Sequence, residues 1–196
     1  MLVPPAGRAE ILVTGPTRPF YLVSLCYDAG PNGDVNPWAI LGELVDDRWA
    51  TNSPRIAAPL GLRVAEHYRS VPAPAVRRLI HLQEDAKGFY IDKVAYRPSS
   101  PVAIVARAGT VEEWVLENDT DEVHTFHVHQ VHFVVESRDG VAERLPHWLD
   151  VVDVPPQRRV KLLVDFRDPA ARGTFLLHCH IVDHEDGGMM AKIAVI

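Results

Sequence analysis

The sequence predicts an all-β protein built around a Greek-key β-sandwich, and three observations lead to that class. Sixteen prolines and twelve glycines are spread over the 196 residues. β-branched and aromatic clusters lie between them, a distribution that favours many short strands over long helices. Strand-like runs recur at short intervals after residue 75, and about 120 residues from there onward suffice for one complete sandwich.

The predicted strands of this sandwich follow from short apolar runs bounded by turn residues. In the run 160–166 apolar and polar residues mostly alternate, as in a half-buried strand, and only Leu163 breaks the alternation. The eight predicted strands are 76–82, 89–94, 102–106, 111–117, 131–136, 160–166, 174–179 and 192–196.

The part of the chain before this sandwich is expected to be an incomplete domain followed by a linker. Strand-like runs at 11–13, 20–27 and 39–45 are separated by turn clusters, but about 48 residues are too few for a second sandwich. Four prolines then interrupt any regular ladder, because proline cannot donate a backbone hydrogen bond. We therefore predict a partial domain at 1–48, a linker at 49–74 and a complete domain at 75–196. A short helix over 62–68 is an alternative for part of the linker.

Composition excludes several classes of function. The formal net charge is −6, with 20 Lys+Arg against 26 Asp+Glu and no basic run, so nucleic acid is not an expected partner. No stretch approaches the roughly 18 apolar residues of a membrane span, and no apolar signal-peptide core follows Met1. Cys26 and Cys179 could form one disulfide at most, which excludes a disulfide scaffold.

The histidines carry the functional information, because seven of the ten fall in two short windows. The first window reads His-Thr-Phe-His-Val-His-Gln-Val-His from residue 124, and the second reads His-Cys-His-Ile-Val-Asp-His from residue 178. Lone histidines are usually core or surface residues satisfied by a carbonyl or water, and that interpretation is preferred for His67, His81, His132 and His147.

Strand periodicity divides the clustered ligands into two sites. His178 and His180 project to one side of a strand while Cys179 between them projects to the other. His127 and His129 have the same spacing, so four imidazoles are expected to converge on one surface. On the other side, His184 and Met189 can return to Cys179 along a loop, and His124 can complete that second site.

The second site has the donors of a blue-copper centre. A thiolate, two imidazoles and a weak thioether suit copper, because soft sulfur favours Cu(I) while nitrogen accommodates Cu(II). Zinc is the main rival and would accept one Cys and two His. It gains little from a thioether and leaves the four neighbouring histidines unexplained, so copper is the preferred metal.

Both windows resemble the C-terminal copper motifs of the multicopper oxidases, the laccase-like family. The first is similar to His-Pro-x-His-x-His-Gly, with Thr125 and Gln130 at the Pro and Gly positions, and the second matches His-Cys-His-x-x-x-His through to the axial Met. Residues 109–118 resemble the strand before the first motif, and residues 4–13 resemble a middle-domain segment. The resemblance covers essentially the whole chain.

The resemblance implies a cupredoxin-like fold and a role for each ligand: the type 1 copper ligands are His124, Cys179, His184 and the axial Met189, the type 2 ligand is His127, and the type 3 ligands are His129, His178 and His180. Glu185 matches a family position where an acidic residue assists proton delivery during dioxygen reduction. A solvated loop carboxylate beside Asp186 is the alternative interpretation of Glu185.

The chain departs from the family in one respect. The family's trinuclear cluster draws half of its histidines from two His-x-His pairs in an N-terminal domain, and upstream of His124 this sequence has only the isolated His67 and His81. The expected function is oxidation of a small reducing substrate at type 1 copper and reduction of dioxygen to water. An N-terminal cupredoxin domain or another chain is then needed to complete the type 2 and type 3 sites.

Two other functions stay open at this stage. One is a truncated electron-transfer cupredoxin with type 1 copper only, and the other is a structural zinc domain. The reducing substrate is equally open, because relatives oxidise phenols, amines, bilirubin-like pigments and metal ions. Relatives are mostly exported, whereas the beginning of this chain shows no export signal, so the sequence assigns no localisation.

Overall fold

The structure is a computed structural model that describes residues 2–11, 18–45, 71–144 and 146–196. Most of the predicted linker, the alternative helix over 62–68 and part of the run 11–13 lie outside these residues. The strands are β1 (Phe20–Ser24), β2 (Tyr27–Asp28), β3 (Val35–Asn36), β4 (Ala39–Leu44), β5 (Val76–Asp85), β6 (Gly88–Ile91), β7 (Val102–Ala106), β8 (Val111–Asn118), β9 (His124–Val128), β10 (His132–Arg138), β11 (Val141–Ala142), β12 (Trp148–Leu149), β13 (Val151–Val154), β14 (Arg159–Asp165), β15 (Gly173–Cys179) and β16 (Met190–Val195), and a short helix α1 spans Val182–Asp186.

Two sheets form the main body, as the all-β prediction requires. One sheet has the order β11-β10-β14-β8-β5-β6, with β12 also paired to β10, and the other has the order β13-β9-β15-β16-β7. The β5–β8 and β7–β16 pairs are parallel and the remaining pairs are antiparallel. The predicted sandwich is confirmed, and its strand order brings the two histidine windows together because β9 and β15 are neighbours.

The core lies between these sheets. Trp114 on β8 packs edge-on against Phe126 on β9, with ring centroids 6.3 Å apart, and both side chains are fully buried. Alternation along β14 buries Val160, Leu162 and Val164 in this core. Leu163, which breaks the alternation, is buried as well at 8% exposure, so the opposite face of this strand is also covered.

Strand prediction was wrong or incomplete at a few places. The run 20–27 divides into β1 and β2, because Leu25 and Cys26 leave the ladder. The short strand β13 was missed, since a four-residue run next to Pro155 gives little periodicity. β13 nevertheless pairs with β9 at the edge of its sheet, so its backbone is hydrogen-bonded to the strand that begins the first histidine window.

The segment before residue 75 contacts the sandwich at few points. β1 pairs with β4, and β2 with β3. Ala29 is the only buried residue among those described before Ala75. Its carbonyl accepts a hydrogen bond of 2.7 Å from the backbone N–H of Val123. Arg8 forms an ion pair of 2.7 Å with Asp150.

The described part of the chain contains no helix that is both long and apolar enough to cross a membrane.

Candidate metal centre

Three buried side chains from separate elements meet at one point and form what we call the first cluster. His124 begins β9, Cys179 ends β15 and His184 lies in α1. Nδ1 of His124 is 3.0 Å from Nδ1 of His184, and the sulfur of Cys179 lies 3.9 and 3.6 Å from those two nitrogens. The sequence prediction that His124, Cys179 and His184 converge agrees with this geometry.

Hydrogen bonds fix the ring of His124 so that Nδ1 faces the sulfur. Its other nitrogen, Nε2, is 3.0 Å from the hydroxyl of Thr120. That hydroxyl donates to Oδ1 of Asn118 over 2.8 Å, so it accepts from the His124 Nε2–H. A proton on Nε2 leaves the Nδ1 lone pair free to bind a metal.

The ring of His184 is held in a similar way. Its Nε2 lies 3.1 Å from Oε1 of Glu122, and its face stacks on Phe89 with ring centroids 4.3 Å apart and planes 16° apart. Donation from Nε2–H to a carboxyl oxygen of Glu122 again leaves Nδ1 as the free donor atom. Both imidazoles therefore offer the same nitrogen to the shared point.

Backbone hydrogen bonds connect Met189 to Cys179 and to His184. Its carbonyl accepts from the N–H of Cys179 over 3.0 Å, and its N–H donates to the carbonyl of His184 over 2.9 Å. The Met189 side chain is fully buried in the same apolar cluster as Cys179. The sulfur of Cys179 accepts a further hydrogen bond of 3.3 Å from the backbone N–H of Thr125.

Burial decides the protonation of these donors in the metal-free protein. Desolvation raises the pKa of Cys179 to about 12 and lowers the pKa of His124 to about 3, with the neighbouring His184 adding to the second shift. Desolvation also lowers the pKa of His184. The metal-free site thus has two neutral imidazoles and a thiol. A metal cation that displaces the thiol proton meets one thiolate and two imidazole nitrogens, a donor set that suits copper.

A second cluster lies on the other side of β15. The rings of His127, His129, His178 and His180 have neighbouring centroids 5.0 to 5.4 Å apart. Nε2 of His129 is 3.1 Å from Nε2 of His178. The four predicted imidazoles therefore do converge, because the register places His178 opposite His127.

Backbone carbonyls set the orientation of two of these rings. Nδ1 of His127 donates to the carbonyl of Asp150 over 2.7 Å, and Nδ1 of His178 lies 2.9 Å from the carbonyl of Cys179. In both rings Nε2 is the nitrogen left free to bind a metal. The second bond also connects the two clusters directly, since Cys179 offers its sulfur to one and its carbonyl oxygen to the other.

Glu185 lies beside the four-histidine cluster. Its Oε2 is 3.2 Å from Nδ1 of His178, and its side chain is 34% exposed. The Glu185 side chain therefore contacts both solvent and the ring of His178. This position is compatible with a role in proton delivery, and it is closer to the cluster than a purely solvated loop carboxylate would be.

The structure describes three further histidines. Nδ1 of His81 forms a 2.8 Å hydrogen bond with Oδ2 of Asp119. His132 and His147 are exposed, and His67 lies outside the described residues.

Sequence reasoning missed the residues around the two imidazoles of the first cluster. Thr120 lies four residues before His124 but no sequence motif singled it out, and Glu122 was not distinguished from the other acidic residues. Phe89 reaches His184 from β6, which no local sequence pattern could indicate. Proximity in sequence is the one clue that could have indicated Asn118 and Thr120, which lie six and four residues before His124.

A cavity of about 460 Å³ opens beside His184. Carboxylates dominate its wall: the lining includes Asp34, Glu84, Asp85, Glu122 and Asp183. Burial raises the pKa of Glu122 to about 8, and a hydrogen bond with Glu84 and the charge of that neighbour add to the shift. The edge of the first cluster is therefore reachable through an acidic opening.

Known multicopper oxidases and laccases match parts of this chain. The multicopper oxidase of Staphylococcus aureus is 32% identical over 128 residues, which cover 62% of this chain and 28% of that protein. A laccase of Haloferax volcanii is 37% identical over 97 residues, covering 47% of this chain and 16% of its own length. The chain thus spans less than a third of these relatives.

Solved structures agree on the fold. A multicopper oxidase from Campylobacter jejuni, described as a metallo-oxidase, superposes with a TM-score of 0.73 at 22% identity, over 90% of this chain and 40% of that one. This likeness supports the cupredoxin-like sandwich. The multicopper oxidase family profile matches residues 68–196, which include every residue of both clusters. The chain belongs to the multicopper oxidase family.

Proposed function

We propose that this chain is part of a copper-dependent oxidase that takes single electrons from a reducing substrate beside His184 and passes them to dioxygen at the four-histidine cluster. One observation carries the proposal. Cys179 lies between the two clusters, with its sulfur near His124 and His184 and its carbonyl oxygen 2.9 Å from Nδ1 of His178. An electron therefore has a short covalent and hydrogen-bonded route from one cluster to the other.

Each predicted ligand has a role in this proposal. Type 1 copper would be held by His124, Cys179, His184 and Met189, type 2 copper by His127, and the type 3 pair by His129, His178 and His180. When bound, copper supplies one-electron oxidation and reduction. The protein's own contribution is to keep the imidazoles of His124 and His184 neutral, to bury the sulfur and to hold Glu185 beside His178 as a proton carrier.

The four-histidine cluster needs further ligands from outside this sequence. No His-x-His pair precedes His124. We infer that an N-terminal cupredoxin domain or another chain supplies the missing imidazoles of the type 2 and type 3 sites. Dioxygen and a small reductant are then the two substrates of the completed assembly.

The cavity beside His184 favours one charge class of reductant. Its carboxylates attract a cation and repel an anion, so a positively charged reductant, including a reduced metal ion, fits better than a phenolate. The Campylobacter jejuni protein with the same fold is described as a metallo-oxidase, which agrees with this preference.

A second candidate function is an electron-transfer module with type 1 copper only. The first cluster supports this candidate, because its thiol and two imidazoles suffice for an electron-transfer copper site without the four-histidine cluster. The two functions differ in the number of copper ions that the protein holds and in whether it consumes dioxygen.

Copper stoichiometry together with the visible spectrum tests both candidates. Near one copper per chain with strong blue colour supports the electron-transfer module, and near four supports an oxidase with a completed cluster. Cys179→Ser should abolish the blue thiolate-to-copper band. His127→Ala in the completed assembly should keep the band and lose oxygen uptake, and retained uptake would contradict the assignment of the four-histidine cluster.

A further inference from the structure

The loop between β2 and β3 reaches across from the N-terminal segment to the strand that begins with His124. The carbonyl of Ala29 accepts a 2.7 Å hydrogen bond from the N–H of Val123, the residue directly before that ligand. Ala29 is 6% exposed, in a segment whose other described residues are exposed or half-buried. This loop is therefore the point at which the N-terminal segment is anchored to the metal centre.

Gly30 makes that contact possible because no side chain fits there. A Cβ at this position would lie 2.2 Å from the carbonyl oxygen of Asp121 and 2.9 Å from both Cα of Glu122 and Cγ of Pro156. The φ angle of Gly30 is +110°, a conformation that residues with a side chain rarely adopt. Two of the three close atoms are backbone, so they cannot turn away as a flexible side chain would.

The same loop forms a wall of the cavity beside His184. Asn32 and Asp34 line the cavity together with Glu84, Glu122 and Asp183. Glu122 lies in the segment that Gly30 touches, and its carboxylate contacts Nε2 of His184. One loop thus contacts the backbone next to His124 and shapes the opening next to His184.

We propose that Gly30 is a positioning residue, which lets the β2–β3 loop hold residues 121–123 in place and thereby sets both the orientation of His124 and the width of the cavity that receives the reductant. Its effect passes through the backbone of Val123 and Glu122. The role at the cavity rests on the proposed function, whereas the role in holding the ligand segment does not require copper.

Amide hydrogen exchange in the metal-free protein tests the positioning role independently of turnover. In Gly30→Ala the backbone must move away from Asp121, which breaks the hydrogen bond between Val123 and Ala29. We expect the Val123 amide to exchange about tenfold faster, while core amides of β14 keep their protection. The copper-loaded variant should show a weaker or shifted thiolate-to-copper band and, in the completed oxidase, a raised KM for the reductant.

Gly173→Ala is the matched control. Gly173 has a φ of +129°, but a Cβ there would meet no atom within 4 Å, so the substitution introduces similar backbone strain without the collision. It should leave the exchange of Val123 unchanged. Asp28→Ala gives a second variant that introduces no clash, because the exposed Asp28 only accepts a 3.0 Å hydrogen bond from the N–H of Gly30. This variant decides the question alone if Gly30→Ala fails to fold.

The possible results separate the two proposals. Wild-type protection of Val123 in Gly30→Ala, or in Asp28→Ala where the first variant does not fold, overturns the positioning role. Faster exchange of Val123 in a protein that never develops a blue band supports the positioning role and contradicts the proposed function. Faster exchange with an altered band and a raised KM supports both.

Discussion

The hydroxyl of Thr120 lies 3.0 Å from Nε2 of His124, on the side of the ring opposite the nitrogen that faces Cys179 and His184. The same hydroxyl is bonded to Asn118, whose amide in turn donates to the carbonyls of Glu122 and Val154 over 2.7 and 2.9 Å. All these groups are buried. The orientation of the His124 ring is thus determined by a polar network that extends from the end of β8.

Thr120→Val should weaken copper binding at the first cluster by roughly 10- to 100-fold, the range found when a hydrogen-bond partner of a metal ligand is removed. Valine keeps the shape of threonine but leaves the Nε2–H of His124 without a partner. Competition with a chelator, followed through the blue band, measures the change. Thr110→Val is the control, because that hydroxyl bonds only the carbonyl of Arg107 in an exposed turn. Equal affinity in both variants would contradict the role of Thr120.

Metal binding at the first cluster should release about one proton per ion near pH 7. Burial raises the pKa of Cys179 to about 12, so the metal-free protein holds a thiol, whereas a bound metal requires the thiolate. The lowered pKa of His124 and of His184 means that the imidazoles release none. Calorimetric titration with Co²⁺, a redox-inert substitute, in two buffers of different ionisation heat counts the protons.

The Cys179→Ser variant is the comparison for this titration. A serine hydroxyl stays protonated, so the proton release assigned to residue 179 should disappear while ions bound only by the four-histidine cluster still titrate. Undiminished release in that variant would show that the protons come from another group.

Local periodicity was enough to predict which side chains come together in the two clusters but not what surrounds them. His178 and Cys179 are the last two residues of β15 and His180 follows directly, so the alternation of side chains at the end of this strand separates the sulfur from the imidazoles. The pairing of His178 with His127 depends on neighbouring strands, and the repeated His-x-His spacing indicated it correctly. This part of the site is encoded over a few consecutive residues.

The environment of His184 could not be predicted in the same way, because it is assembled from distant segments. Phe89, Glu84 and Asp34 come from three different elements, and each is an ordinary residue in its own local sequence. The contact of Gly30 with Asp121 is equally non-local. Even the turn cluster around Gly30 predicted only a change of chain direction and gave no indication of what that turn would touch.

Glu122 should make the metal-free protein less stable as the pH rises from about 4.5 to about 8. Burial and the hydrogen bond with Glu84 raise the pKa of Glu122 from 4.5 to about 8, so the folded protein retains a proton that the unfolded chain releases within that range. The contribution of protonated Glu122 to the free energy of unfolding is therefore fully present below pH 4.5 and is lost as the pH rises through about 8.

Urea unfolding of the metal-free protein at pH 5 and pH 8 measures this effect. Glu122→Gln mimics the protonated form, so the wild type should lose stability relative to this variant on going to pH 8. Glu43→Gln, which removes an exposed carboxylate of β4, should follow the wild type at both pH values. A constant difference between the wild type and Glu122→Gln across the two pH values would contradict the protonated state of Glu122.

Glu185→Gln should slow dioxygen reduction in the completed oxidase and leave reduction of the first cluster unchanged. The carboxylate of Glu185 is 3.2 Å from Nδ1 of His178 and still reaches solvent, so it can take a proton from water and present it at the four-histidine cluster, whereas an amide cannot. Anaerobic bleaching of the blue band by a reductant, compared with its return on adding oxygen, separates the two half-reactions.

Asp186→Asn is the control, because Asp186 is exposed on the same helix. If both variants recover their colour at the wild-type rate, Glu185 is a solvated loop carboxylate, and if both are slowed equally, the general negative charge of α1 is responsible and Glu185 has no specific role.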